Sequence, residues 1–315
     1  MHAPRSPIGM ACCVAALSLA TLGVRAQPPL AMKPSERPHF KSAIRLTTVT
    51  VTVTDAEGHL VRDLPREQFE VFEDGASQAI TQFAGDRVPI SVGVLLDASD
   101  SMYGRRIADA REALDNFLSV LLDPADEFSL VVFNHHQQVL APWTEDRSLM
   151  ATMLAPVKPW GSTAIYDAIM SAIPLADSRH NQRAALLMIS DGADTASDTT
   201  LRSLRSALLR TDLFVYAIGI DSADRRPINA AVNPTTLAQI TDPSGGRTRV
   251  VHDSSEVAQA LEQIAEELNS QYLIGYSSAR TGDGKYHSIR VKVTGGDYRV
   301  RARNGYVDGT VPPSR

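Results

Sequence analysis

Val49, Val51 and Val53 alternate with Thr48, Thr50, Thr52 and Thr54, the two-residue period of a strand buried on one face. Asp55-Ala56-Glu57-Gly58 reads as a turn. Phe69-Glu70-Val71-Phe72-Glu73 repeats the alternation, Asp74-Gly75 closes it, and Ala79 to Phe83 predicts a third strand. No helical period appears in this stretch. From Pro89 to about Leu268 strands alternate with helices. Ile90 to Leu96, Phe128 to Phe133, Val139 to Trp143, Ala184 to Ile189 and Leu213 to Ile220 read as strands, with Arg247 to Val251 as an edge strand. The first of these is apolar on both faces and Ala184 to Ile189 is continuously apolar, as buried parallel strands are. Ile107, Ala110, Leu114, Phe117 and Leu121 stripe one face of a helix over Arg105 to Leu122. Ser148 to Leu154, Ala164 to Ala176 and Thr199 to Leu209 are also helical, and Val257, Leu261, Ile264 and Leu268 stripe a last helix that Ser254 is placed to cap. After Ser270 the helical period stops. Tyr272 to Tyr276 predicts a strand. Ile289, Val291 and Val293, then Tyr298, Val300 and Ala302, alternate with Arg290, Lys292 and Thr294, then Arg299, Arg301 and Arg303, on either side of Gly295-Gly296. That is the pattern of a hairpin with one apolar face and one solvated cationic face.

The alternating middle predicts an α/β domain: a doubly wound, mostly parallel sheet with helices on both faces, Rossmann-like in layout. Two or three strands alone are marginal in water, so neither β flank closes a core by itself. Residues 45–86 and 270–307 are therefore expected to pair into one β-sandwich, with the α/β domain, residues 88–268, inserted between them and residues 308–315 left as a tail.

Residues 1–26 read as a signal peptide that precedes this fold. Arg5 gives a positive start, Ile8 to Val24 an apolar stretch, and Val24-Arg25-Ala26 a cleavage site after Ala26. The stretch is short for a membrane anchor, and the prolines of residues 27–44 make a linker. The expectation is an exported protein, periplasmic or extracellular. Both cysteines, Cys12 and Cys13, fall in the signal segment, so the mature chain has no thiol or disulfide chemistry. Losing Arg5 and Arg25 takes the formal charge from −5 to −7, with 29 basic against 36 acidic residues. That balance argues against nucleic acid as a partner. No second apolar run of membrane length follows, so no transmembrane span is expected in the mature chain.

Candidate chemistry concentrates where strands end, which is where open parallel sheets place their sites. The strand Ile90 to Leu96 runs out into Asp97-Ala98-Ser99-Asp100-Ser101. One carboxylate and two hydroxyls, two residues apart, are hard oxygen donors of the kind a small divalent cation prefers. Leu186-Leu187-Met188-Ile189 runs out into Ser190-Asp191-Gly192, and Gly161-Ser162-Thr163 adds a hydroxyl before a helix. In this reading five side chains from three segments converge on one cation. A dication among two carboxylates and three neutral hydroxyls stays electron-poor, and a carboxylate from another molecule completes its shell. His135 and His136 are neighbours at a strand end, face opposite ways and are not expected to share a metal. Asp167 is read as a structural acceptor, Asp194 as a loop cap, and Trp143 and Trp160 as core. No G-x-S-x-G elbow, Walker A loop or H-E-x-x-H occurs, and no general base stands beside the candidate metal. The chain is therefore not expected to be an enzyme.

The three segments Asp97-x-Ser99-x-Ser101, Gly161-Ser162-Thr163-Ala164-Ile165-Tyr166-Asp167-Ala168 and Ile189-Ser190-Asp191-Gly192-Ala193-Asp194 resemble the von Willebrand factor A (VWA) domain over about residues 88–268. The flanking runs Val51 to Asp55, Phe69 to Gly75 and Tyr272 to Tyr276 are similar to those of VWFA-related proteins of acidobacteria. The resemblance implies a metal-ion-dependent adhesion site that holds Mg2+, with Mn2+ or Ca2+ as alternatives. It implies direct ligation by Ser99, Ser101 and Thr163, and ligation by Asp97 and Asp191 either directly or through water. The sequence departs from the family at Asp100, where many members carry glycine. The implied function is an exported, non-enzymatic module that captures an acidic residue of a partner protein. The alternatives are a structural cell-envelope protein in which the metal only stiffens the loops, and a metal-dependent hydrolase.

Overall fold

A computed structural model describes residues 45–191, 193–221, 233–278 and 282–308; the expected signal peptide, the linker and most of the tail lie outside them. Strands β1 (Arg45–Thr54), β2 (Phe69–Glu73), β3 (Ala76–Gln78) and β4 (Ile80–Ala84) lead into the alternating part. That part comprises β5 (Ile90–Asp97), α1 (Arg105–Asn116), β6 (Glu127–Phe133), β7 (Gln137–Thr144), α2 (Met150–Leu154), α3 (Ile165–Ala176), β8 (Arg183–Ser190), α4 (Leu201–Leu208), β9 (Phe214–Ile220), α5 (Pro234–Thr241), β10 (Thr248–Val251) and α6 (Val257–Leu268). Strands β11 (Tyr272–Ser278), β12 (Tyr286–Val293), β13 (Arg299–Ala302) and β14 (Gly305–Val307) follow. No helix of the described residues is long and apolar enough to cross a membrane.

The middle sheet has the order β10-β9-β8-β5-β6-β7 and is parallel except for the edge strand β7. Every residue of β5, β6, β8 and β9 is buried, which is why these strands read as continuous apolar runs rather than as alternations. Val92, Val94 and Leu96 pack with Leu114 of α1 and Leu261 of α6 on one face. Leu95 packs with Ile165 and Ile169 of α3 on the other. The chain leaves β5 toward β6 on one side and returns to β8 on the other. The loops after β5 and β8 therefore splay apart at a topological switch point, where open α/β sheets bind ligands.

The flanks form two four-stranded sheets, β13-β1-β11-β4 and β14-β12-β2-β3. Each sheet mixes strands from both sides of the α/β domain: Val51 pairs with Tyr272 and Val71 with Val291. Val49, Val51, Val53, Phe69, Val71, Tyr272, Ile274, Tyr276, Ile289 and Val291 share one core, each fully buried side chain of this size being worth roughly 1.5–3 kcal/mol. The α/β domain is thus inserted into a β-sandwich between β4 and β11.

The C-terminal hairpin expected from the sequence does not form. Strand β12 pairs with β2 and β14, whereas β13 pairs with β1 in the other sheet. Alternation fixes which face of a strand is apolar, not which strand it pairs with, and Gly295-Gly296 carries the chain across between sheets. The cationic row is divided as a result. Arg290 and Lys292 lie over the Phe72 ring, 5.1 and 5.2 Å from its centroid. Arg301 turns inward to Glu267 and to the Gly245 carbonyl, and Arg303 is buried over Tyr306. Two helix ends also differ from expectation. Helix α1 passes at Phe117 into a wider π-helical turn, Phe117–Leu121. The Asp253 carboxylate, not Ser254, accepts the capping bond, from the Ser255 amide at 2.9 Å, because the Ser254 hydroxyl is engaged on Asp109 of α1.

In the sandwich, buried His287 is gripped from both sides, Nδ1 by Asp74 at 2.9 Å and Nε2 by Asp283 at 3.1 Å. The Asp74 hydrogen bond raises the His287 pKa against the opposing effect of burial, and Asp283 adds to the rise. A raised folded pKa stabilises fully below the unfolded value and is lost as pH rises through the folded value. The stability lead of wild type over His287→Asn, read from urea midpoints, is therefore expected to be full near pH 6 and to shrink as pH rises past 6.5. A lead that grows with pH would contradict the clamp.

Candidate metal centre

Strand β5 delivers Asp97 fully buried to the switch point. Its Oδ1 accepts from the Ser99 amide at 2.8 Å, and its Oδ2 accepts from the Ser190 hydroxyl, at the end of β8, at 2.5 Å. The chain then makes a tight turn over Asp100–Met102. This turn sets Ser101 Oγ 3.1 Å from Ser99 Oγ and lets it donate to Asp191 Oδ1 at 2.6 Å. Asp97, Ser99, Ser101 and Asp191 thus form one connected polar group across two adjacent strand ends.

Thr163 is buried on a loop that main-chain bonds tie to the other two. Trp160 N donates to Ala98 O and Asp100 N to Gly161 O, both at 2.9 Å. The Thr163 carbonyl accepts from Thr195 N at 2.8 Å and Ala196 N at 3.0 Å, and Ala164 N donates to Asn134 O, just past β6, at 2.9 Å. Gly161 has φ +77°, and a Cβ there would lie 2.5 Å from His135 Nδ1, so the loop needs glycine at this point. Asp194 accepts from the Tyr166 amide at 3.3 Å and the Ser197 hydroxyl at 2.5 Å. Asp167 accepts from the amides of Asp198 and Thr199, both at 2.9 Å. Both acids brace the start of α3, as their reading as structural groups expects.

Trp160 is not core. It is 54% exposed and meets the His135 ring edge-on at 4.7 Å. Nor do the two histidines diverge: they sit in a turn rather than on a strand, with ring centroids 4.2 Å apart. Trp143 is partly buried and donates to the Leu175 carbonyl at 2.7 Å. Among the described residues no group of three or more His, Cys, Asp or Glu side chains is placed to hold a metal. A site of two carboxylates and hydroxyls is of a different make.

Burial pushes the Asp97 carboxyl up from 3.8 to about 7, against the hydrogen bonds from Ser190 and Ser99, and the nearby Asp191 charge adds to the rise. Burial also raises Asp191, opposed by the Ser101 hydroxyl and Arg106. Two buried carboxylates side by side, with serine hydroxyls gathered on them, form a set of hard oxygens short of positive charge. Such a set fits a small dication such as Mg2+. The sequence reading missed Arg106, whose Nη1 donates to Asp191 Oδ2 at 2.9 Å. A signal was present: a cation in the first turn of a helix opposes the macrodipole, so Arg106 needed an acidic neighbour from elsewhere.

Residues 92–193 match the family model of the von Willebrand factor type A domain. The chain carries a VWA domain. The VWA-bearing chain is 27% identical over 203 residues to human inter-alpha-trypsin inhibitor heavy chain H4, covering 59% of this chain and 21% of that protein. It is 22% identical over 275 residues to heavy chain H2 of Sus scrofa, covering 78% and 28%. It spans only about a quarter of the length of these curated relatives. Among solved structures it is similar to a von Willebrand factor type A protein from Catenulispora acidiphila, with TM-score 0.51 and 14% identity over 77% of this chain and 74% of that one. It is also similar to proximal thread matrix protein 1 of the mussel byssus, with TM-score 0.52 and 14% identity over 63% and 51%. At such identity the likeness is one of fold.

Proposed function

We propose that this chain is an exported, non-enzymatic binding module whose VWA domain uses a Mg2+ ion to capture an acidic side chain of a partner protein. The observation that carries the reading is the connected group of Asp97, Ser99, Ser101 and Asp191 at the switch point of the sheet. Ser99, Ser101 and Thr163 would hold the ion through hydroxyls, and Asp97 and Asp191 directly or through water. Five donors suit Mg2+, or Mn2+ in its place, better than Ca2+, which takes six to eight oxygens. The ion supplies an electrophilic coordination position for a carboxylate. The chain's residues keep that position polar but poor in negative charge, since three of the five donors are neutral. Export is part of the proposal and rests on the apolar N-terminal segment Ile8 to Val24.

A purely structural metal is the weaker reading. The three loops are already fastened to one another by main-chain bonds such as Asp100 N to Gly161 O, so little stiffening is left for an ion to do. The test is retention of envelope proteins on the immobilised full chain in Mg2+, in EDTA, and with Asp97→Ala in Mg2+. Retention in Mg2+ with the wild-type chain alone is the expected result. Partners that stay bound in EDTA and on Asp97→Ala would refute capture through the metal.

A further inference from the structure

Arg106 has no role in the metal reading so far, yet it is a cation built into the site, paired with Asp191. Its side chain is 13% exposed. Nη1 donates both to Asp191 Oδ2 at 2.9 Å and to the Ser101 carbonyl oxygen at 2.7 Å. One oxygen of Asp191 is thus held by Arg106, and the other by the hydroxyl of Ser101, itself a proposed ligand.

We infer that Arg106 is a resident counter-cation of the metal site: it shares Asp191 with the metal, weakens metal binding, and leaves the loaded site with a net positive charge. The inference rests on the Mg2+ reading above. Asp97 and Asp191 alone would balance a dication to zero, and an incoming carboxylate would then add an uncompensated negative charge. Counting the ion with Asp97, Asp191 and Arg106, the loaded group carries one positive charge, and a single partner carboxylate brings these charges to balance. The attraction for an acidic ligand therefore comes from the arginine as much as from the neutral hydroxyls. The cost falls on the metal, which must enter beside a fixed guanidinium. The same contact gives Asp191 a partner in the metal-free protein, so the loop it stands on is held whether or not the metal is bound.

The experiment is calorimetric titration of Mg2+ alone into the full chain at low ionic strength, for wild type, Arg106→Gln and Arg106→Lys. Glutamine keeps hydrogen-bonding capacity and removes the charge, while lysine keeps the charge and removes the planar fork. A unit charge a few ångströms from a dication in half-buried surroundings shifts affinity by about tenfold or more. Arg106→Gln is therefore expected to bind Mg2+ at least about tenfold more tightly than wild type, and Arg106→Lys close to wild type. Equal or weaker binding by Arg106→Gln overturns the inference, because Arg106 would then only position Asp191. If circular dichroism shows that the glutamine variant does not fold, the lysine variant decides: strong weakening with the charge retained overturns the inference equally. Wild-type protein that takes up no Mg2+ at all removes the metal reading itself, a result distinct from uptake that Arg106→Gln leaves unchanged.

Discussion

Asp97→Asn is expected to abolish Mg2+ binding and, in the absence of metal, to make the protein more stable at pH 8 than wild type. The two effects have one cause. Asp97 is fully buried beside Asp191, and burial pushes its carboxyl up from 3.8 to about 7. A carboxyl whose folded pKa is raised contributes stability that is full below the unfolded pKa and is lost as pH rises through the folded one. Metal-free wild type should therefore lose stability between about pH 4 and pH 7. At about 1.4 kcal/mol per pH unit over that interval, the burden at pH 8 is at most about 4 kcal/mol. Asparagine carries none of it and still accepts from the Ser99 amide. Adding Mg2+ closes most of the gap. The ion neutralises the carboxylate, and at a hundred times its dissociation constant stabilises wild type by about 2.7 kcal/mol, while Asp97→Asn gains nothing. Urea unfolding at pH 5 and pH 8, each with Mg2+ and with EDTA, reads all of this. A metal-free wild type that gains stability from pH 5 to pH 8 would contradict the account of Asp97.

Glu267→Ala is expected to be among the most destabilising single changes in the chain, by roughly 3–5 kcal/mol. Glu267 of α6 is buried where the sandwich meets the α/β domain. It accepts from the Tyr216 hydroxyl of β9 at 2.6 Å, from the Thr52 hydroxyl of β1 at 3.3 Å and from the Arg301 guanidinium of β13. Gln271 extends the network, donating to Tyr216 Oη at 3.0 Å and to Thr52 Oγ1 at 3.2 Å. Arg183 donates to Gln271 Oε1 at 2.6 Å and to the Leu268 carbonyl at 2.7 Å. Alanine removes the carboxylate and strands Arg301 with its charge half buried. Glu267→Gln keeps an acceptor for the hydroxyls and should cost less. Midpoints of urea unfolding check both. Mg2+ affinity should be unchanged in whichever variant stays folded, since this network lies at the opposite end of the strands from Asp97. Equal stability of Glu267→Ala and wild type would show that the sandwich does not depend on this contact.

The sequence made the strand ends easier to read than the contacts between distant parts. Asp97 and Asp191 stand directly behind the apolar runs of β5 and β8, and continuous burial marks those runs as central strands, so local pattern is enough to put both carboxylates at strand ends. Val49, Val51 and Val53 likewise declared a one-sided strand. What local pattern does not carry is pairing. Strands β12 and β13 have the alternation of a hairpin and join different sheets. Arg301 and Arg303 have the spacing of a solvated face and turn inward, because Glu267 and the Tyr306 ring, each far or separate in the alternation, receive them. Arg106 shows by its place in the first turn of α1 that it needs an acid, but not which one: its partner Asp191 lies 85 residues along the chain. Trp160 reads as core from the sequence, but it stands exposed on a loop that main-chain bonds such as Trp160 N to Ala98 O hold in place.

The central claim is that an ion sits among these side chains. Mn2+ prefers the same octahedral oxygen surroundings as Mg2+ and scatters X-rays anomalously. Crystals of the full chain grown in Mn2+ are expected to show one strong anomalous peak at the switch point, bounded by the hydroxyls of Ser99, Ser101 and Thr163 and facing Asp97 and Asp191. A well-ordered site without that peak at saturating Mn2+ would contradict the account.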